Sequence, residues 1–223
     1  MRVELLAYTP NPVAVIENAA STCYDSEPTP DGKIMKACYR NGHHSVLEHV
    51  SFTYRVSGVS RALLAQLTRH RTGISFSVRS QRYCKEDGFD YVTPPSIAKN
   101  SVANAAYHKA MTGLSVLYTG LLDAGVPAED ARYILPNACE TVITFTVDLR
   151  ELIHICRERL CTRAQWEIRQ MVQLMAEETV KVFPECADML KPKCEADLKH
   201  PFCPEAQCCG RHKKLSEVYD ATD

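Results

Sequence analysis

The stretch VSFTYRVS sets Val50, Phe52, Tyr54 and Val56 on one side of an extended chain and Ser51, Thr53, Arg55 and Ser57 on the other. Alternation of this kind gives a strand one apolar face, whereas a helix would scatter the same groups around its axis. A half-apolar strand needs neighbours beside it and a layer over that face. The rest of the chain offers both. MRVELLAYT alternates Val3, Leu5 and Ala7 with Arg2 and Glu4, and ISFSV alternates again. ETVITFTVD is rich in the β-branched residues that suit a pleated surface.

Covering helices are equally visible. VAVIENAAST and DGKIMKACYRNG read as short helices, the second stopped at Asn41-Gly42. Ser60 can cap SRALLAQLTRH. Ala103, Ala106, Ala110, Leu114, Leu117 and Leu121 recur at helical spacing until Gly125. Pro127 opens a shorter helix closed at Pro136. Asp148 followed by Glu151 has capping-box spacing and predicts one long helix from there to about Phe183. At 223 residues and 25.0 kDa, the expectation is an α/β or α+β chain with one domain over 1–183 and a loose, cysteine-rich tail over 184–223. No apolar run approaches a membrane span and MRVELLAYTPNP lacks a signal-peptide core, so the expected location is the cytoplasm.

Charge is distributed unevenly. The total is −1, from 26 Lys and Arg against 27 Asp and Glu, yet Arg61 to Lys85 holds six Lys or Arg and no acid. In QLTRHRTGISFSVRSQRY, Arg69, Arg71, Arg79 and Arg82 fall within fourteen residues. One arginine at a helix end can serve the dipole. Four with no carboxylate nearby in sequence must be solvated or share an anionic ligand. Guanidinium forks grip phosphate bidentately, and Ser75, Ser77 and Ser80 add donors, so a phosphate-bearing small ligand is expected. A nucleic-acid binder would need a broad basic excess and stacking aromatics, and only Phe76 and Tyr83 lie close by.

The triplet Arg69-His70-Arg71 followed by Ser80 and Arg82 resembles the signature of the flavin-dependent thymidylate synthases. Three further stretches match that family in order and rough spacing: GHHSVLEHVSFTYRV, GVPAEDARYILP and TVDLRELIHICRERLCTRAQWEI. One departure is that eight residues, Thr72 to Arg79, separate the triplet from Ser80 where the family usually has seven. The extra residue is placed near Thr72-Gly73, and Val78 then stands where the family often has an acid.

The resemblance implies a central, mostly antiparallel sheet flanked by long helices, and a homotetramer binding FAD between subunits. It implies reductive methylation of dUMP to dTMP with methylenetetrahydrofolate and NADPH; on the charge, hydropathy and spacing arguments, no nucleic acid, membrane or metal is expected as a partner. Carried over, the flavin contacts are Ser45, Arg69, His70, Arg71, Asp148, Leu149, Arg150 and His154. The dUMP contacts are Gln66, Arg69, Ser80, Gln81, Arg82, Arg132 and Arg159. His43 would lie close to flavin and folate, and Arg159 would pair with the uracil ring.

Helix geometry supports an inward Arg159, three turns beyond Asp148 on the stripe of Leu152, Ile155 and Cys156. Against uracil its charge would favour ionisation at N3 and electron density at C5. The plainer reading is an arginine paired with Glu158 or another helix carboxylate. Cys84 is a candidate thiol nucleophile with no histidine at a pairing distance in sequence. His43, His44, Glu48 and His49 lack the spacing of a helical metal motif. In the tail, Cys186, Cys194, Cys203, Cys208 and Cys209 read as reduced thiols, with zinc or a thiol enzyme as alternatives.

Overall fold

The computed structural model describes residues 1–23, 25–29, 31–196 and 199–219. In chain order its elements are β1 (Arg2–Tyr8), α1 (Pro12–Thr22), α2 (Lys33–Arg40), β2 (Ser51–Ser60), α3 (Arg61–Leu67) and β3 (Ile74–Val78). There follow α4 (Pro95–Ala98), α5 (Ser101–Asp123), α6 (Ala128–Ala131), β4 (Glu140–Asp148), α7 (Leu149–Arg159), α8 (Trp166–Val182) and α9 (Leu215–Tyr219). The strands form one four-stranded antiparallel sheet in the order β1-β2-β4-β3. This is the mixed helix-and-strand class expected. Among the described residues, no helix is long and apolar enough to cross a membrane.

Contacts divide the chain into two compact units, and β2 and β4 each contribute residues to both. The first comprises Met1–Arg2, Val56–Arg69 and Phe76–Thr144. Its interior includes Val56, Val59, Leu63 and Leu67, with Phe89, Met111 and Cys139 packed against Tyr91, Tyr107 and Leu114. Ser60 caps α3 by accepting from Leu63 N at 3.1 Å, and the N–H groups of Arg61 and Ala62 reach the carbonyls of Cys139 and Asn137. The donors of the first helical turn are thereby satisfied.

The second unit comprises Val3–Arg55, His70–Ser75 and the chain from Phe145. Phe52, Tyr54, Phe145 and Val147 are at most 1% exposed, so the alternation places its apolar side inward as expected. Each such side chain contributes about 2 to 3 kcal/mol of burial. The Tyr54 hydroxyl is bonded to Thr179 of α8, so this buried polar group is satisfied.

The single helix expected from Asp148 to Phe183 is two. α7 ends at Arg159, and Gln165 opens α8 by accepting from Glu167 N at 2.9 Å and Ile168 N at 3.2 Å. No glycine or proline marks this break, and helical apolar periodicity continues through it. An N-cap glutamine and a Cys-Thr pair of modest helix propensity are weak signals by comparison. Nor is the tail loose where it leaves α8, since Cys186, Met189 and Leu190 are buried.

Candidate active site

The residues expected to contact dUMP, other than Arg159, lie in the first unit. Arg82 Nε donates to Glu129 Oε2 at 3.0 Å, and Arg132 Nε donates to the Glu129 carbonyl at 2.9 Å. One acidic residue thus steadies both arginines proposed for phosphate. The Arg82 pair is half exposed and contributes little by itself, so a phosphate carrying more charge can take the carboxylate's place. Ser80 Oγ accepts from Arg82 N at 3.3 Å, and Gln81 Nε2 donates to Cys139 Sγ at 3.7 Å. Arg79, outside the motif, is held by buried Glu86 at 3.1 Å. Gln66 is half-buried on the last turn of α3, and Arg69 follows it, exposed. Among the described residues, neither Ser80 nor Cys84 is hydrogen-bonded to a base that could activate it.

The residues expected to contact flavin, other than Arg69, lie in the second unit. Arg71 is exposed. Among the described residues, no carboxylate pairs with Arg69 or Arg71, which leaves the first half of the basic stretch available to an anion. Gly42, at φ +79°, ends α2. His43 N then reaches the Cys38 carbonyl at 2.9 Å and Gly42 N the Tyr39 carbonyl at 3.3 Å, the two bonds of a Schellman motif. The adjacent histidines are thereby separated in role. His44 Nε2 is bonded to the Tyr39 carbonyl at 3.0 Å and its ring stacks on Tyr39, while His43 and Ser45 stay exposed.

Beside this turn is a cleft of about 440 Å³ whose walls include His44, Glu48, Thr72, Gly73, Asp148, Arg150, His154 and Arg157. Arg150 is tied to Glu48 across it at 2.5 Å. Leu149 is fully buried, so any flavin contact it makes is through its backbone. Arg157, which sequence reasoning passed over, offers an NH2 to the Tyr39 hydroxyl at 3.4 Å and keeps a buried Nε without a partner. Its only sequence signal is a position three residues beyond His154 on the same helix.

At the mouth of the cleft the expected capping box is half made. Asp148 accepts from Glu151 N at 2.8 Å, as an N-cap should. The reciprocal bond is absent, because Asp148 N donates to the Gly73 carbonyl at 2.8 Å and the Glu151 carboxylate turns to His70. Burial holds the Asp148 carboxyl above the usual carboxylate range, against the lowering effect of the Glu151 N–H. Gly73 sits at φ +64°, and a Cβ there would lie 1.9 Å from Asp148 Oδ2. Gly73→Ala therefore combines a left-handed backbone with a direct clash, and a loss of more than about 2 kcal/mol in denaturant unfolding is expected. An alanine variant as stable as the parent would show that the loop gives way freely.

The centre of the site is a chain of three side chains. His70, 6% exposed, meets Glu151 Oε1 through Nδ1 at 2.8 Å, and Arg159 Nε donates to His70 Nε2 at 3.2 Å. An arginine N–H can only donate, so Nε2 must accept and Nδ1 carries the hydrogen given to Glu151. Arg159 is thus held by a neutral ring. Among the described residues no carboxylate pairs with Arg159, and Glu158 is directed to Lys193 at 3.6 Å. Glu151 was missed as a site residue because its spacing from Asp148 already had a structural explanation.

The family model described as thymidylate synthase complementing protein matches residues 4–185. The chain belongs to the flavin-dependent thymidylate synthase family. Relatives bearing that name include the protein of Clostridium tetani, 38% identical over 98% of this chain and 97% of its own. That of Geobacter sulfurreducens is 39% identical over 98% of each. Among solved structures, thymidylate synthase X from Helicobacter pylori with FAD and dUMP aligns with a TM-score of 0.68 at 24% identity, covering 84% of this chain and 99% of that one. The UMP/dUMP methylase PolB of Streptomyces cacaoi, bound to 5-bromo-dUMP, aligns with a TM-score of 0.75 at 23% identity, covering 90% and 95%. These two place the chain in the flavin-dependent thymidylate synthase fold.

Proposed function

We propose that this member of the family converts dUMP to dTMP, taking the one-carbon unit from methylenetetrahydrofolate and releasing tetrahydrofolate. The observation that carries the reading is Arg159 held by a neutral histidine, so that its charge is positioned but not neutralised. A guanidinium in that condition can stabilise negative charge developing on a uracil ring, which draws the N3 proton off and enriches C5. Ser80, Arg82 and Arg132 would hold the phosphate, with Gln66, Arg69 and Gln81 orienting the nucleotide. His43, exposed beyond the Schellman turn, would meet the folate.

The cleft residues fit a flavin dinucleotide. Asp148, Arg150 and His154 line the cleft and Arg157 has an unfilled Nε, Arg69 and Arg71 have no carboxylate partner among the described residues, and Ser45 and the Leu149 backbone would add the contacts that the family resemblance implies. Bound there, FAD reduced by NADPH supplies the hydride. The chain's own part is to bind, orient and polarise, which agrees with the lack of a base beside Ser80 or Cys84.

The catalytic segment would be 1–183, working as a cytoplasmic homotetramer. Support for assembly comes from α5, which buries only Met111 and Tyr118 fully and leaves Val102, Val116 and Leu117 more than half exposed, an apolar side suited to a subunit contact. The decisive experiment is the visible spectrum of the purified protein. Flavin bands that bleach when NADPH is added with dUMP present are expected. A protein that stays colourless after reconstitution with FAD would overturn the assignment.

A further inference from the structure

Among the described residues from 193 to 214, Cys203 is the only buried apolar side chain. A segment with so little core needs another source of order. What converges inside it is sulfur and imidazole. Cys194 Sγ, a His212 ring nitrogen and a Glu195 carboxylate oxygen all lie within 4.8 Å of one another. Cys194, Cys203 and His212, with Cys161 and Cys209, are among the residues lining a small, partly open cavity of about 10 Å³. That is room for one small particle and for no organic ligand.

We propose that the tail is a structural zinc site centred on Cys194 and His212, with Cys203 and Cys208, which lie outside that cluster in the unbound chain, closing on the metal as the other two ligands. Eight, four and three residues separate them in turn, and three thiolates with one imidazole make a closed tetrahedral Cys3His set. The soft sulfur donors favour zinc over calcium or magnesium. Two surrounding contacts support the assignment. His212 Nε2 meets Glu195 Oε1 at 3.2 Å, the carboxylate–histidine pairing that orients a ligating ring and leaves its other nitrogen for the metal. Cys208 Sγ donates to the His212 carbonyl at 3.1 Å and accepts from the Gly210 N–H at 3.3 Å, at a turn at φ +86°, which holds this sulfur beside the His212 backbone. Binding releases the thiol protons to solvent, so affinity falls as pH falls.

The segment is anchored near the turn that ends α7. Lys193 pairs with Glu158, and Arg163 NH1 donates to Gln207 Oε1 at 2.8 Å. Zinc there would brace the turn that follows Arg159.

The test uses the full chain, reduced, supplied with Zn²⁺ alone and dialysed. Elemental analysis should find about one zinc per chain, and Co²⁺ in its place should give the intense visible absorption of a tetrahedral thiolate site. Cys194→Ser and His212→Ala should each lose the metal, while Cys23→Ser, at an exposed thiol on α1's C-cap, should keep it. Flavin content, read in the same samples, should not change. Wild-type protein without stoichiometric metal would overturn the proposal. So would a mass lowered by a hydrogen pair, marking a disulfide, or zinc retained by both ligand variants.

Discussion

Arg159→Ala should lower turnover by roughly 100- to 1,000-fold, the cost of removing one preorganised charge-stabilising donor, with flavin content near that of the parent protein. The prediction rests on where the guanidinium is held. Its Nε is spent on His70, which leaves the rest of the planar group free and oriented by the last turn of α7. Alanine removes both the charge and the donors but leaves only one acceptor, His70 Nε2, without its partner. Arg159→Lys restores charge without the planar fork and should recover little activity. Steady-state kinetics with dUMP varied, alongside the flavin absorbance of each preparation, separates the cases. Equal losses of turnover and bound flavin would mean that Arg159 holds the cofactor instead of polarising the pyrimidine.

Glu151→Ala should cost about 2 to 3 kcal/mol of stability and a large share of the bound flavin. Glu151 and His70 are 9% and 6% exposed, so removing the carboxylate strands a buried imidazole N–H. With Nδ1–H unpaired, the ring is no longer bound to present Nε2 to Arg159, and the disturbance passes from α7 back to α7 through the loop residue between. Glu151→Gln keeps an oxygen that can accept from Nδ1–H and should restore most of the stability. Denaturant unfolding monitored by far-ultraviolet circular dichroism measures the difference. An alanine variant that unfolds with the parent's midpoint would remove Glu151 from the account.

The elements were easiest to read where one pattern had one explanation. The alternation at Val50 to Val56 and the caps at Ser60 and Asp148 all have the places their chemistry suggested. The α7–α8 break was hidden because Leu152 through Met175 keep a helical rhythm across it, and rhythm reports burial without reporting direction. At the site, the basic stretch and the inward Arg159 were legible from charge and register. Glu151 was not, since a glutamate at that spacing is fully explained by the helix start. Glu129 and Arg157 were hidden for a related reason: their partners, Arg82 and Tyr39, are far away in sequence.

The arch from His70 to Ser75, where the resemblance would put this chain's extra residue, meets Asp148 at Gly73, its one position with no side chain. Extra length elsewhere in such an arch can be taken up as a wider bow towards solvent. Bulk at Gly73 cannot, because it would press on the head of the helix whose far end carries Arg159. Homologues of this chain should therefore vary in how long the arch is while staying bare at that point of contact, and grafting a longer arch should do less harm than adding a single methyl group beneath it.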